Sequence, residues 1–281
     1  MSSFRLQFHH TFFFIILSLF TGSPVNADSF YANEAAQRTR AEGFALQPES
    51  AVFVRQSKRV SLWQAERLIK DLKEDQELFA QLQSFSGLTP MEQVPVLKAV
   101  FKVEVRSMGI KAPNLVIDLN YPRAAFFEFD VNSTNPGTVI INPSKSYADN
   151  PLMSLSLLIH ETRHSLQLQM AQAGKTQGMR GPMARAYFNA FQAQRELSGK
   201  LSFCDFLTLN NEYEAFLFGN YVIHKLYDAR VDMISMGTFA SQFDREGNLK
   251  IDLAHLHARP AKNVLEEFNL RQQEQARLLG L

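Results

Sequence analysis

The segment at residues 157–167, LLIHETRHSLQ, constrains this chain more tightly than any other stretch. It sets His160, Glu161 and His164 among apolar residues with helical spacing. Residues four apart lie on one face of an α-helix, so the two imidazoles face the same neighbour. Burying them beside a carboxylate without compensation is costly. The segment therefore predicts a helix on which both imidazoles converge, either on a cation or on hydrogen-bonding neighbours.

The residues on either side predict the bounds of this helix. Asn150 can cap its N-terminus, and Pro151 suits the first helical position because the fixed φ of proline matches a helix. Gly174 is expected to end it, since glycine readily takes the left-handed conformation that closes helices. The two histidines then lie in the middle of the helix.

The first 27 residues have the pattern of a secretory signal peptide. Arg5 precedes an apolar run at residues 12–20, and residues 25–27, Val-Asn-Ala, resemble a signal cleavage site. The apolar run is far shorter than the roughly 20 residues that a membrane-spanning helix needs. The pattern predicts an exported protein, periplasmic or secreted after cleavage near Ala27, which contacts a membrane only through this segment if it stays uncleaved.

Charge and cysteine content limit the partners and the means of stabilisation. Removing residues 1–27 takes one base, Arg5, from the 29 Lys and Arg, which leaves 28 basic residues against 28 acidic ones. A chain without net positive charge is a poor match for nucleic acid, so no nucleic-acid partner is expected. Cys204 is the single cysteine and cannot form an intramolecular disulfide. Packing, helped by any bound metal, must therefore supply the stability.

The remaining pattern predicts a mainly helical α+β fold. Residues 28–110 read as an N-terminal helical region, in which Thr89, Pro90 and Glu92 mark a helix start with a capping box. Three short β-prone runs then predict a small antiparallel sheet packed on the histidine helix, at residues 115–117, 126–131 and 138–141. The chain returns to predicted helices near residues 151–172, 183–198, 209–229 and 261–279.

The histidine helix resembles the signature of the zincin metallopeptidases. His160, Glu161 and His164 match the pattern H-E-x-x-H, in which two histidines bind zinc. The metzincin form of the pattern does not fit, because Gln167 stands in place of its glycine and Met170 in place of its third histidine.

The chain is more similar to the gluzincins, which take their third ligand from a glutamate on a later helix. Residues 211–215, NEYEA, offer such a segment on a predicted helix. The resemblance implies a zincin-like domain over residues 111–281 that binds one Zn²⁺ through His160, His164 and Glu212.

Glu214 competes with Glu212 for the role of third ligand. Residues two apart on a helix point about 200° apart, so only one of them can face the metal. The resemblance favours Glu212, and Glu214, a histidine or no third ligand are the alternatives. Phe216 stands where gluzincins carry an aspartate that orients a ligand histidine. Another acceptor is therefore expected, because metal-bound imidazoles nearly always donate their second N–H.

The same resemblance implies an exported zinc-dependent metallopeptidase that hydrolyses peptide bonds in a peptide or protein substrate. Glu161 would act as general base on a zinc-activated water. In several gluzincins a later His or Tyr stabilises the oxyanion, and His255 and His257 are the candidates here. In that family the substrate pairs with an edge strand, for which residues 138–142 are the candidate unless they form an internal strand.

A second function of another class fits the same residues. The chain could be a non-catalytic exported helical protein, of a binding or chaperone-like kind, whose metal site is structural or vestigial. The two functions differ in one property, because a catalytic zinc keeps an open coordination position and a structural zinc does not.

Overall fold

The computed structural model describes residues 31–146, 150–228, 243–244, 246–259 and 263–279. The predicted signal peptide, residues 1–27, lies outside the described residues. The helices are α1 (Glu34–Thr39), α2 (Ala51–Glu74), α3 (Gln76–Gln83), α4 (Pro90–Met108), α5 (Pro143–Ser146), α6 (Met153–Thr176), α7 (Pro182–Glu196), α8 (Phe203–Leu207), α9 (Asn210–Leu226), α10 (Leu253–Ala258) and α11 (Val264–Leu279). The strands are β1 (Asn114–Ile117), β2 (Ala125–Glu128) and β3 (Thr138–Ile141).

The prediction of a mainly helical α+β fold is confirmed. The helix start expected near Thr89 is present as a complete capping box. The Thr89 hydroxyl accepts from the Glu92 backbone N–H, the Glu92 carboxylate accepts from the Thr89 backbone N–H, and Pro90 takes the first helical position. Local chemistry thus specifies the beginning of α4, because these partners lie three residues apart.

The sheet is mixed, and the prediction of an antiparallel sheet is wrong. Its strand order is β1-β3-β2, with β3 parallel to β1 and antiparallel to β2. The chain passes from β1 to the far side of the sheet for β2 and then returns to place β3 in the middle. Residues 138–142, the candidate edge strand, therefore contain the central strand, and β1 and β2 form the edges. The runs of β-prone residues indicate where strands lie but not the order in which they pair.

Two nearly enclosed helices, α6 and α9, form the centre of the molecule. Helix α2 packs on α9, whereas α7 and strands β2 and β3 pack on α6. One continuous core includes fully buried residues from α2, α4, β3, α6 and α9, represented by Leu68, Val100, Val139, Leu158 and Phe218. Among the described residues, no helix combines the length and apolar character needed to cross a membrane.

Helix α6 begins and ends later than its flanking residues indicate. Asn150 forms a turn before the helix, in which its side chain accepts from the Leu152 N–H, and α6 starts at Met153. Gly174 lies inside the helix, which continues to Thr176. A Cβ at Gly174 would lie 2.5 Å from the Ala184 Cβ, so glycine here permits the close approach of α7. A tertiary contact, and not helix termination, accounts for this glycine.

We expect Gly174→Ala to lower the free energy of unfolding by about 1–3 kcal/mol, because the added methyl group overpacks the α6–α7 contact. Ala184→Gly alone should also destabilise, by about 1 kcal/mol, since glycine is a poor helix former. The double variant should nevertheless be more stable than Gly174→Ala alone, because it removes the opposing methyl group. Urea unfolding of the three variants measures this coupling, and strictly additive effects would contradict the packing explanation.

Candidate metal centre

Helices α6 and α9 bring two imidazoles and one carboxylate together in the core. The Nε2 atoms of His160 and His164 lie 3.0 Å apart. The Oε2 atom of Glu212 lies 3.1 Å from the first of these nitrogens and 3.4 Å from the second. The three side chains are 6%, 3% and 2% exposed, respectively. Three ligand-type atoms therefore converge on one point where little water can reach them.

The partly exposed Glu161 lies at the edge of this cluster. His160, Glu161 and His164 each offer an atom within 4.8 Å of the others, and together they could hold a metal ion. The sequence-based expectation of a metal-binding group on α6 therefore has a structural counterpart. Glu212 on α9 adds a second carboxylate, 3.1 and 3.4 Å from the two imidazole nitrogens. Its role as the third ligand stays a prediction.

The spacing of the three converging atoms fits a small tetrahedral cation. Zinc binds His nitrogen and carboxylate oxygen at about 2.0–2.2 Å, and tetrahedral angles then set ligand atoms roughly 3.3–3.5 Å apart. The distances of 3.0, 3.1 and 3.4 Å observed here lie close to that range. Small side-chain movements suffice to reach it, so the residues present fit such an ion.

The charges within the cluster also favour a cation. Burial opposes ionisation of Glu212, but the positive charge of His164 and hydrogen bonds from both imidazoles outweigh it and lower the pKa of Glu212 to about 2. Burial likewise opposes a charge on His164, yet the anionic Glu212 raises the pKa of His164 to about 9. Burial lowers the pKa of His160. A proton on His164 therefore neutralises the negative charge of Glu212. A bound metal cation would neutralise the same charge.

Glu161 differs from Glu212 in its surroundings, although both are carboxylates of the same cluster. Although Glu161 is partly exposed, the surrounding protein desolvates its carboxyl group and raises its pKa to about 8; the charge of His164 opposes this rise, and the charge of Glu212 adds to it. Among the described residues no hydrogen bond restrains its carboxylate. The two acids therefore differ in proton affinity because Glu212 lies between two imidazoles and Glu161 lies beside them.

The two imidazoles are supported differently on the side away from the cluster. His164 donates its Nδ1–H to the Oε1 of Gln167 at 2.8 Å, so Gln167 is the acceptor whose identity the sequence left open. The Nδ1 of His160 is buried and has no hydrogen-bond partner in the part of the chain that the structure describes. The Phe216 ring packs against that imidazole, with centroids 4.3 Å apart. Phe216 therefore gives this imidazole an aromatic contact and not a carboxylate acceptor.

Glu214 faces away from the cluster and forms a buried ion pair. It accepts hydrogen bonds from Arg163, whose Nε lies 3.0 and 3.2 Å from the two carboxylate oxygens and whose Nη2 lies 2.6 Å from Oε1. Both side chains are almost fully buried. Burial opposes the ionisation of Glu214, but Arg163 outweighs it and lowers the pKa of this carboxyl. The alternative in which Glu214 is the metal ligand has no support from this geometry.

The two candidates for oxyanion stabilisation, His255 and His257, make contacts elsewhere. His257 donates from Nε2 to the Ala45 carbonyl at 2.7 Å, and burial lowers its pKa. The His255 ring accepts from the Arg259 guanidinium at 2.8–3.0 Å. These hydrogen bonds do not run to the histidine-carboxylate cluster, so the proposed catalytic role of both residues stays a prediction.

Sequence reasoning missed the polar residues that surround the cluster. Arg163 and Gln167 lie within the signature helix, and Ser61 and Gln64 reach the same region from α2. A local signal existed for Gln167, because residues three apart on a helix contact each other. No local signal existed for the α2 residues, which are about 100 positions away.

No protein-family model, curated protein or solved structure matches this chain.

Glu214→Ala is expected to lower the free energy of unfolding by about 3–5 kcal/mol, because it leaves the Arg163 cation buried without its partner. Replacing both members with Met should cost less than the single change, since no charge then remains in the core. Urea unfolding in the presence of a chelator measures both variants without a contribution from metal. A loss below about 1 kcal/mol for Glu214→Ala would show that the pair is not desolvated in solution.

Proposed function

We propose that this chain is an exported zinc-dependent metallopeptidase of gluzincin type. His160, His164 and Glu212 hold the metal, and Glu161 is the general base. One observation carries the proposal: two imidazole nitrogens and a carboxylate oxygen lie within 3.0–3.4 Å of one another, beside a second, partly exposed carboxylate. Export rests on the N-terminal sequence pattern alone.

The donor set supports zinc as the metal. Two neutral imidazoles and one carboxylate form a ligand set found in catalytic zinc sites, where three protein ligands leave one position open. When bound, zinc supplies Lewis acidity that polarises a carbonyl and lowers the pKa of water to about 7. The histidine nitrogens must give up any proton they carry, so we expect metal affinity to decrease as the pH falls.

Glu161 is the residue of the cluster that suits proton transfer. It directly follows a proposed ligand on α6 and is partly exposed, and no hydrogen bond restrains its carboxylate among the described residues. In its ionised form, a carboxylate so placed can take a proton from water and hold it on one of its oxygens. It can then pass that proton to the leaving nitrogen. Glu212 is less suited, because the two imidazoles lower its pKa to about 2 and so make its carboxylate a weak base.

Strand β2, an outer strand of the sheet in the part of the chain that the structure describes, is the substrate-pairing strand in this proposal. The Asn142 N–H donates to the Ala124 carbonyl, and alternate residues of an antiparallel pair point their backbone groups the same way. The backbone groups of Ala125 and Phe127 therefore point away from β3. The Phe127 ring lies 5.8 Å from that of His164, so this edge passes close to the cluster. An extended peptide can pair here as an added strand.

Purified wild-type protein is expected to carry about one zinc per chain, and Glu212→Gln should lose most of it, because an amide replaces an anionic ligand. Glu196→Gln is a suitable control, since this glutamate pairs with Arg40 on the surface. Metal content is measured by mass spectrometry after dialysis. Wild-type protein without stoichiometric zinc, or a Glu212 variant that retains it, would rule out the proposed ligand set.

Glu161→Gln should reduce peptide hydrolysis by about 10²–10⁴-fold while zinc content stays unchanged, because only the proton acceptor is lost. Cleavage of a mixed peptide library, followed by mass spectrometry, provides the assay for a protease of unknown specificity. Unchanged cleavage by the variant would remove Glu161 from its role. A zinc-loaded wild-type protein that cleaves nothing would instead favour the non-catalytic binding function.

A further inference from the structure

We propose that the buried Arg163–Glu214 ion pair, acting through Gln167, fixes which nitrogen of His164 carries a proton and so keeps the other nitrogen available to the metal. The inference rests on the proposed metal site, because it concerns how one of its ligands is positioned. Arg163, Glu214 and Gln167 are positioning residues in this scheme and do not contact the metal themselves.

We use the term relay for the chain of hydrogen bonds from Arg163 through Glu214 and Gln167 to His164. Its first link is the ion pair. A guanidinium can only donate hydrogen bonds, and an ionised carboxylate can only accept them. Arg163 donates to both oxygens of Glu214, at 2.6–3.2 Å, and the two side chains are 1% and 0% exposed. A buried carboxylate held in this way keeps its charge and its orientation.

The second link is the side-chain amide of Gln167, which is fully buried. Its Nε2 lies 2.6 Å from the Oε2 of Glu214 and 2.9 Å from the backbone carbonyl oxygen of Asn211. Both neighbours only accept hydrogen bonds, so the NH₂ group must face them. Rotating the amide by 180° would bring its oxygen against two acceptors. The orientation of Gln167 is therefore dictated by its partners.

The third link is the imidazole of His164. The Oε1 of Gln167 can only accept, and it lies 2.8 Å from Nδ1, so Nδ1 must carry a proton. The Nε2 atom, which faces His160 and Glu212, is then the nitrogen that can present a lone pair to the metal. His160 has no comparable support among the described residues, since its Nδ1 lacks a partner. The relay thus acts on one of the two imidazoles.

Helix α2 completes the relay and connects the N-terminal helical region to the site. Ser61 donates its hydroxyl proton to Glu214, and Gln64 accepts a hydrogen bond from the Nη2 of Arg163 at 2.6 Å. Tyr187 of α7 also lies within hydrogen-bonding reach of Glu214, and the Arg163 Nη1 lies 3.7 Å from the Met108 sulfur of α4, so α2 supplies two of several contacts that hold the ion pair. We infer that the N-terminal helices support the metal site and do more than cover it.

Gln167→Met and Gln167→Glu test the relay. The methionine variant preserves volume but offers no acceptor to His164, so zinc affinity should fall about 10- to 100-fold. In the glutamate variant the introduced carboxylic acid can donate its proton to Glu214 and accept from Nδ1, so affinity should return to within a few-fold of wild type. Gln172→Met, on the same helix with its amide bonded to the Ser133 carbonyl, is the matched control. Competition with a chelator measures the dissociation constants.

A second measurement separates positioning from general stability. In the zinc-loaded protein labelled with ¹⁵N-histidine, the His164 Nδ1–H should exchange slowly in wild type and in Gln167→Glu, and rapidly in Gln167→Met. Equal zinc affinity in all Gln167 variants, with a wild type that binds zinc, would overturn the relay and leave the proposed function standing. A wild type that binds no zinc would overturn both. If Gln172→Met also lost zinc affinity, the loss in Gln167→Met would be attributed to a destabilised helix, and the relay would be overturned.

Discussion

The constraint on which this structure depends is that charged groups in a protein core need partners. Helix α6 is buried on nearly all sides, yet it carries an arginine, two histidines and a glutamine in its middle turns. Desolvating such groups without compensation would cost more than the few kcal/mol by which a domain is stable. The arrangement of α2, α6 and α9 satisfies these groups together, and so links the packing of three helices to the geometry of one site.

Two glutamates on α9 show how environment assigns different roles to identical side chains. Glu212 and Glu214 are two residues apart and therefore project from opposite sides of the helix. One faces two imidazoles and the other faces a guanidinium, and both have lowered pKa values for these separate reasons. The cluster and the ion pair thus share a helix without competing for the same carboxylate.

The support for His164 comes from a neutral side chain that a charged one holds in place. Phe216 packs against the imidazole of His160, and the Gln167 amide accepts a hydrogen bond from that of His164. An amide is a weaker acceptor than a carboxylate and could rotate, but the Glu214 carboxylate behind it restricts that rotation. Glu214 can therefore orient His164 through Gln167 without itself joining the cluster.

The sequence by itself predicted the features that depend on neighbours along the chain. The helix that carries His160 and His164, the capping box at Thr89 and the positions of the three strands follow from patterns that span only a few residues. The resemblance to gluzincins also singled out Glu212, which the structure brings to the two imidazoles, although its role as a ligand stays untested.

Only the tertiary structure decided the features that depend on distant residues. It placed β3 in the centre of a mixed sheet, set Gly174 against α7, directed Glu214 toward Arg163 and brought Ser61 and Gln64 to the same ion pair. No pattern along the chain encodes these pairings, because each is selected by packing and by the requirement that buried polar groups find partners wherever the fold supplies them.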